Sequence, residues 1–335
     1  MKLPIIGITM GDPFGVGPEI IIKSFLNGFS TPTVIYGDIY ILNKAAELIN
    51  KKIDIVSIQS SDLKTNNDLF ISNRKLYVIE SYRINQKQFT PSKTSSIGGF
   101  ASYQYIINAV QDALSNKINA IVTAPINKES FSKAGINFPG HTELLANLTN
   151  TSDFGMMMLN DSLKIILVTI HLPLSKVSEF INIKNELKYI KMANDVCVNL
   201  GIRNPIIGVA GLNPHAGENG KFGNEEIDSI IPAINEARDN GINVSGPWPG
   251  DTIFMKARNG DFDIVVAQYH DQGLIPIKYL GIDNGVNVTI GLPIIRTSVD
   301  HGTAFDIAWK NGIADNQSLL SAISVAIDLS KKQKS

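Results

Sequence analysis

The sequence has one cysteine, few charged residues and no long apolar run, and each scarcity excludes a class of protein. The one cysteine, Cys197, rules out an internal disulfide, and its apolar helical surroundings predict a packed thiol in a reducing compartment. No apolar run approaches the ~20 residues that a membrane-spanning helix needs. The first ten residues predict a strand instead of a signal peptide. We therefore expect a cytoplasmic protein with no membrane partner.

The charges of the two signs nearly cancel. The net charge is -1, with 18% charged residues, and no basic stripe is visible, so nucleic acid is not an expected partner. With 44% hydrophobic residues the composition is that of a globular protein. The length of 335 residues suits two domains of about 150 residues each.

A dinucleotide-binding fingerprint is also missing. The first predicted strand leads into the loop GDPFGVGPE at 11–19, whose glycines do not match G-x-G-x-x-G. Pro18 suits the first turn of the helix that follows. This loop either turns the chain or contacts a ligand in another way, and its residues alone do not decide between these two interpretations.

The sequence does contain a repeated arrangement in which a predicted buried strand leads to a histidine. The histidines concerned are His171, His215 and His270. Ligands of open α/β sheets bind at the carboxyl ends of the strands. Three imidazoles converging there would form a catalytic divalent-metal site with an open coordination position. No H-E-x-x-H or C-x-x-C motif is present, so this hypothesis rests on position alone, and isolated surface histidines are the alternative.

Groups that can bind an anion occupy similar positions. His141 and Thr142 begin a predicted helix, where free backbone N–H groups attract anions. The alternative for Thr142 is a simple helix cap. Lys278 and Arg296 would add positive charge for a group such as phosphate.

Two other segments stand out by their composition. The segment 244–252 is rich in glycine and proline, which predicts a loop, and the segment 51–73 is polar and expected to be peripheral. Asp251 lies near the end of the first segment. It is predicted either to cap the helix that follows or to belong to a functional site.

Eight ordered motifs together resemble the 4-hydroxythreonine-4-phosphate dehydrogenase family of vitamin B6 biosynthesis. The motifs are GDPFGVGPE (11–19), TAPINK (123–128), GHTE (140–143), TIHLP (169–173), LNPHAGE (212–218), PGD (249–251), YHDQGLIPIK (269–278) and DHGTA (300–304). The resemblance covers nearly the whole chain. It implies an isocitrate/isopropylmalate-dehydrogenase-like fold with two α/β/α domains, a cleft between them, and a homodimer with shared active sites. We expect a first, cofactor-side domain at 1–127 and 285–335, and a second domain at 128–284 that carries the metal, substrate and dimer contacts.

The resemblance also implies a role for each candidate residue. Three histidines would bind the metal, one of them across the dimer interface, and the acids beside it would support catalysis. The implied assignments are His171, His215 and His270 for the metal; His141, Thr142, Lys278, Asn287 and Arg296 for the substrate; Asp251 and Asp271 beside the metal; and Asn287, His301 and Gly302 for the cofactor. The implied cofactors are NAD(P) and a divalent ion, namely zinc, magnesium or cobalt.

The implied reaction is the oxidation of 4-phosphooxy-L-threonine at its C3 hydroxyl by NAD(P)+. Loss of CO2 from the resulting β-keto acid gives 3-amino-2-oxopropyl phosphate. Lys278 is the first candidate for the group that takes the hydroxyl proton, and Asp251 is the second. Phe14 and Trp309 depart from the family pattern, and a tryptophan beside the adenine would affect cofactor affinity and the choice between NAD and NADP.

Three other functions agree with the same motifs. A sister dehydrogenase would act on another phosphorylated four-carbon acid, such as threonate or erythronate 4-phosphate. A metal-dependent phosphatase would use the histidines with water and release phosphate without a cofactor. A non-catalytic sugar-phosphate binding protein is less favoured, because binding alone needs no Lewis acid.

Overall fold

The computed structural model describes residues 3–64, 74–281 and 285–332. The chain divides into two compact units: unit 1 comprises Met1–Ser152 and Leu292–Ser335, and unit 2 comprises Asp153–Gly291. The sequence placed the boundaries earlier, at 127/128 and 284/285. Residues just after 127 belong to unit 1 because the helix Lys128–Lys133 packs on the helix Ser96–Leu114.

Strands and helices alternate along most of the chain, as expected of an α/β protein. The strands are β1 (Ile6–Thr9), β2 (Thr33–Gly37), β3 (Asp54–Ser57), β4 (Lys75–Glu80), β5 (Ala120–Thr123), β6 (Gly155–Leu159), β7 (Lys164–Leu167), β8 (Ile207–Ala210), β9 (Val244–Trp248), β10 (Ile264–Ala267), β11 (Val286–Ile290) and β12 (Ile295–Val299). The α-helices are α1 (Gly17–Asn27), α2 (Ile39–Leu48), α3 (Ser96–Leu114), α4 (Lys128–Lys133), α5 (His141–Leu148), α6 (Leu174–Phe180), α7 (Ile183–Leu200), α8 (Ile231–Asp239), α9 (Ile253–Arg258), α10 (His270–Tyr279) and α11 (Gln317–Lys332).

Unit 1 is built on a parallel sheet with the strand order β3-β4-β2-β1-β5-β12. Its central strands are buried over their whole length, which explains their continuous apolar sequences. Helices α1, α2 and α11 form one packed group and α3, α4 and α5 another, and α3 and α11 contact the central strands. This α/β arrangement confirms the predicted fold class.

Unit 2 is built on a mixed sheet with the order β11-β6-β7-β10-β8-β9. The strands β7, β10, β8 and β9 are parallel, whereas β6 is antiparallel to both of its neighbours. Because successive side chains of a strand point to opposite faces, Ile165 and Val265 meet Phe254 and Leu274 of α9 and α10 in one core cluster. Cys197 is buried in α7, as predicted.

The segment predicted to be a loop contains a strand, and the segment expected to be peripheral contains an edge strand. The 244–252 segment forms β9, the edge strand of unit 2, where proline is tolerated because one side of an edge strand needs no partner. Its register with β8 is irregular between Gly208 and Ala210. The polar 51–73 segment contains the edge strand β3, and its residues 65–73 lie outside the described part of the chain. Over the described residues, no helix is both long enough and apolar enough to cross a membrane.

Candidate functional site

The three predicted metal-binding histidines all follow neighbouring parallel strands of unit 2. The strand β10 lies between β7 and β8, so the carboxyl ends of the three strands meet along one edge of the sheet. His171 follows β7, His215 follows β8, and His270 follows β10 as the first residue of α10. The predicted placement of each histidine after a strand is therefore confirmed.

His171 and His270 line the same cavity, which has a volume of about 300 Å³. Their ring centroids are 6.0 Å apart. The Nδ1 atom of His270 lies 2.7 Å from a carboxylate oxygen of Asp271. Because a carboxylate only accepts hydrogen bonds, this contact favours a proton on Nδ1 and leaves the lone pair of Nε2 for a ligand.

His215 lies in a second cavity of unit 2, with a volume of about 350 Å³, which it shares with Asp251. A third cavity of about 360 Å³ is lined by Asp251 and Asp271. Tyr269 lines all three cavities. The structure thus brings His171 and His270 together and places His215 in a cavity that shares Tyr269 with theirs.

The backbone that carries His215 is left-handed. All residues from His215 to Gly220 have positive φ, including His215 itself at 53° and Ala216 at 52°. Such angles are costly for residues other than glycine and persist only where surrounding contacts impose them. Here the buried carboxylate of Glu226 accepts hydrogen bonds from the backbone N–H of Asn213 at 2.7 Å and from its side-chain amide at 2.9 Å.

The donor chemistry of this edge of the sheet fits a divalent metal. Two imidazoles face one cavity, and a carboxylate orients one of them, as is usual for metal-binding histidines. Among the residues that the structure describes, however, no three His, Cys, Asp or Glu side chains form a metal-binding group. The three-histidine metal site therefore stays a prediction.

Three further candidate residues of unit 2, Asp251, Lys278 and Asn287, lie in different segments of the chain. Asp251 does not cap α9, whose N-cap residue is Thr252, and it lines two cavities instead. Lys278 is half-buried in the last turn of α10, eight residues after His270, or about 12 Å along a helix. Asn287 is half-buried on β11.

In unit 1, His141 and Thr142 form the first turn of α5, as predicted, and Arg296 lies on β12. Arg296 is buried, which lowers its pKa to about 9, and it donates hydrogen bonds to the hydroxyl of Thr123 at 2.8 and 3.2 Å. Burial, together with the nearby charge of Arg296, holds the pKa of His141 well below its usual value. At neutral pH the pair therefore comprises a guanidinium cation and a neutral imidazole.

Three loops follow neighbouring strands of the unit 1 sheet: the 11–19 loop after β1, the 124–127 segment after β5, and the 300–306 loop after β12. The first and third loops touch, since the N–H of Val16 donates to the carbonyl of Thr303 at 3.0 Å. His301 and Gly302 are exposed in the third loop, and no other atom would meet a Cβ added at Gly302. A ligand can therefore approach this backbone closely.

The two departures from the family pattern lie in one aromatic cluster of unit 1. Phe14 is fully buried with its ring 5.9 Å from that of Phe89, and Trp309 packs edge-on against Phe89 at 4.9 Å. Trp309 has a positive φ, and its backbone N–H donates to the buried carboxylate of Glu19.

Some residues of the edge were missed as site candidates from the sequence. One of them is Tyr269, and its position between a strand and His270 is a signal in the sequence. Asn213, Glu226, Gln268 and Gln272 support the histidine-bearing segments through hydrogen bonds. No local pattern marks most of these contacts, because they join residues far apart in the sequence; the contact between Gln268 and Gln272 is local.

Comparison with known proteins decides the family. The family model described as "Pyridoxal phosphate biosynthetic protein PdxA" matches residues 29–326. The chain belongs to this family. As a member of the PdxA family, the protein is an enzyme of the oxidoreductase class, and the resemblance noted from its motifs is confirmed.

Individual relatives of the PdxA family member carry two different names. It is 50% identical, over 98% of both chains, to an Oceanobacillus iheyensis protein named provisionally as a D-threonate 4-phosphate dehydrogenase. It is 45% identical to the 4-hydroxythreonine-4-phosphate dehydrogenase of Beijerinckia indica subsp. indica, over 97% of this chain and 94% of that one. The crystal structure of 4-hydroxythreonine-4-phosphate dehydrogenase from Klebsiella pneumoniae superposes with a TM-score of 0.89 at 40% identity, covering 98% of this chain and 99% of the other.

Proposed function

We propose that the protein uses NAD(P)+ to oxidise a hydroxyl group of a phosphorylated four-carbon acid, and that the product then loses CO2. The observation that carries the proposal is the pair His171 and His270 in one cavity of unit 2, with Asp271 hydrogen-bonded to His270. We place the reacting hydroxyl of the substrate beside this pair.

The residues that would hold a divalent ion are His171, His215 and His270, with one of the three supplied by the second subunit of a homodimer. When bound, the ion would supply a Lewis acid beside the hydroxyl and the carbonyl formed from it. Asp271 keeps His270 in the tautomer that leaves Nε2 available. Asp251 and Lys278 are the candidates for taking the hydroxyl proton, and Asp251 is favoured because it shares a cavity with His215.

The anionic part of the substrate would be bound by Arg296, His141, Thr142, Lys278 and Asn287. Arg296 stays protonated at neutral pH because its pKa, lowered by burial, is still about 9. The neutral His141 offers a hydrogen bond without a second positive charge. For the cofactor, we propose contacts with Asn287, His301 and Gly302, of which the last two are exposed on the 300–306 loop.

Two substrates follow from the relatives. Oxidation of 4-phosphooxy-L-threonine at C3 and loss of its carboxyl group gives 3-amino-2-oxopropyl phosphate. The same bond changes in D-threonate 4-phosphate, which has a hydroxyl in place of the amine at C2, give dihydroxyacetone phosphate. The relative at 50% identity is named provisionally for D-threonate 4-phosphate, and relatives at 44–45% identity carry either name, so both substrates belong in the test.

The test is an absorbance assay for NADH and NADPH with purified protein, a divalent metal and a panel of substrates. The panel contains 4-phosphooxy-L-threonine and the 4-phosphates of D-threonate and D-erythronate, and inorganic phosphate is measured in parallel. We expect reduced cofactor with at least one member of the panel. Phosphate release without cofactor reduction would instead support a metal-dependent phosphatase and would refute the proposal.

A further inference from the structure

Gln268 connects the three histidine-bearing strand ends of unit 2. It directly follows β10 and is fully buried. Its backbone carbonyl accepts hydrogen bonds from the hydroxyl and the N–H of Thr169, at 2.8 and 3.2 Å. Thr169 precedes His171 by two residues. The end of β10 is thereby joined to the segment that carries His171.

The side chain of Gln268 contacts β8, the neighbour of β10 on the side opposite β7. Its Nε2 donates to the carbonyl of Ala210, the last residue of β8, at 2.8 Å. This contact fixes the orientation of the Gln268 amide, because a flipped amide would place its Oε1 against the carbonyl oxygen of Ala210. The Oε2 of the buried Glu186 accepts a second, longer hydrogen bond from Nε2 at 3.4 Å. The end of β10 is thus also joined to the strand that leads to His215.

A second glutamine completes the arrangement. Gln272 lies in the first turn of α10, one half-turn beyond His270. Its Oε1 accepts from the backbone N–H of Gln268 at 2.7 Å, and its Nε2 donates to the carbonyl of Gly211 at 2.8 Å. Each glutamine therefore contacts both the β10–α10 segment and the end of β8.

We propose that Gln268 is a positioning residue whose side chain holds the end of β8, which leads to His215, against the end of β10, which leads to His270. Gln272 is a second link between α10 and β8. The inference rests on the proposed metal-binding function of these histidines. Its physical basis is that the two glutamines hold the backbone that carries the ligands. Loss of a group that contacts a metal ligand directly typically weakens metal binding by about 10–100-fold, and these glutamines act one step further from the ligands. Buried amide hydrogen bonds suit this task because each leaves a costly unpaired group when broken.

The test compares Co²⁺ binding by the purified full chain and by Gln268→Met and Gln272→Met. Methionine has a similar length but no hydrogen-bond donor. The matched control is Asn160→Asp, which removes an amide donation to the carbonyl of Ile277 elsewhere in unit 2. Co²⁺ affinity and the visible absorption spectrum of the bound ion are measured well below the thermal midpoint of each variant. A purely structural role of the glutamine would lower the midpoint but leave the Co²⁺ affinity and the spectrum of the folded protein unchanged.

We expect Gln268→Met to bind Co²⁺ about 10-fold more weakly, at the lower end of the range for groups that contact a ligand directly, with an altered spectrum. Gln272→Met is expected to shift in the same direction, while Asn160→Asp binds like the wild type. If Gln268→Met does not fold, the half-buried Gln272 decides the question through its own variant. Wild-type affinity and spectrum in the glutamine variants would overturn the inference alone. Failure of the wild-type protein to bind Co²⁺ would instead refute the metal assignment on which it rests.

Discussion

The carboxylate of Asp271 lies 2.7 Å from Nδ1 of His270, its neighbour in the first turn of α10. A histidine held in this way keeps the lone pair of Nε2 available, and His270 lines the same cavity as His171. The contact is local, and its function is to fix one tautomer and one ring orientation. Loss of this contact should therefore change the affinity of the protein for a divalent metal.

Asp271→Ala is expected to weaken Co²⁺ or Zn²⁺ binding by about 10–100-fold, since His270 loses the acceptor that orients it. The side chain of Asp271 is 72% exposed, so the thermal midpoint is expected to stay close to that of the wild type. Metal affinity is measured by titration, with Asp195→Ala, an exposed acid on α7, as the control. Equal affinities in the two variants would contradict the role assigned to Asp271.

The left-handed segment at His215 predicts an effect of Glu226→Gln. A glutamine at position 226 can accept a hydrogen bond from only one of the two Asn213 donors, the backbone N–H or the side-chain amide. Its own NH2 group then faces the other donor. We expect a loss of about 1–3 kcal/mol in the free energy of unfolding, together with weaker metal binding. Urea denaturation and metal titration measure the two effects.

A second substitution tests the pairing itself. In Asn213→Asp with Glu226→Gln, the glutamine amide can donate to the new carboxylate, so the double variant is expected to be more stable than the sum of the single changes predicts. Strict additivity of the two free-energy changes would show that the Asn213–Glu226 contact does not hold this segment.

Glu186 predicts a pH dependence of stability. Burial raises the pKa of this carboxyl from 4.5 to about 8, so between these values the folded protein binds a proton that the unfolded chain releases. The contribution of Glu186 to the free energy of unfolding therefore falls as the pH rises from 4.5 to about 8. The fall is at most about 1.4 kcal/mol per pH unit.

Glu186→Gln removes this titration and keeps an acceptor for Gln268. We expect the variant to gain stability relative to the wild type as the pH is raised from 6 to 8, as measured by urea denaturation at both values. A difference between the two proteins that does not change with pH would show that Glu186 is not held neutral in the folded state.

Cys197 is expected to be unreactive in the folded protein. It is buried in α7, and burial raises the pKa of its thiol to about 12, so the reactive thiolate is scarce at pH 8. A colorimetric thiol reagent should detect no thiol in the native protein and one per chain in denaturant. Rapid labelling under native conditions would contradict the observed burial.

The sequence predicted those features that depend on local pattern. Buried parallel strands such as β7 have continuous apolar sequences, and the histidines after them could be located because a polar residue ends each run. The edge strand β9 was missed because its glycine and proline are typical of loops, and its pairing with β8 is a tertiary effect. The antiparallel strand β6 follows a helix without any signal of its direction.

For the candidate site, too, the positions of residues along the chain were predictable, whereas contacts between distant residues were not. His171, His215 and His270 could be found because each stands directly after a strand, but their spacing depends on contacts between distant residues. Gln268 reaching Ala210 and Glu226 reaching Asn213 have no local sequence signature. The left-handed conformation of the His215 segment likewise has no local signature, since neither histidine nor alanine favours positive φ.

The most direct test of the proposed function is the metal dependence of cofactor reduction. Protein stripped of metal with a chelator is mixed with NAD+ or NADP+ and the best substrate of the four-carbon phosphate panel, and absorbance is followed before and after Zn²⁺, Mg²⁺ or Co²⁺ is added. We predict no reduced cofactor before the addition and rapid formation after it, with no recovery in His215→Ala. Full activity of the metal-free protein would contradict the metal-assisted dehydrogenase proposed for this chain.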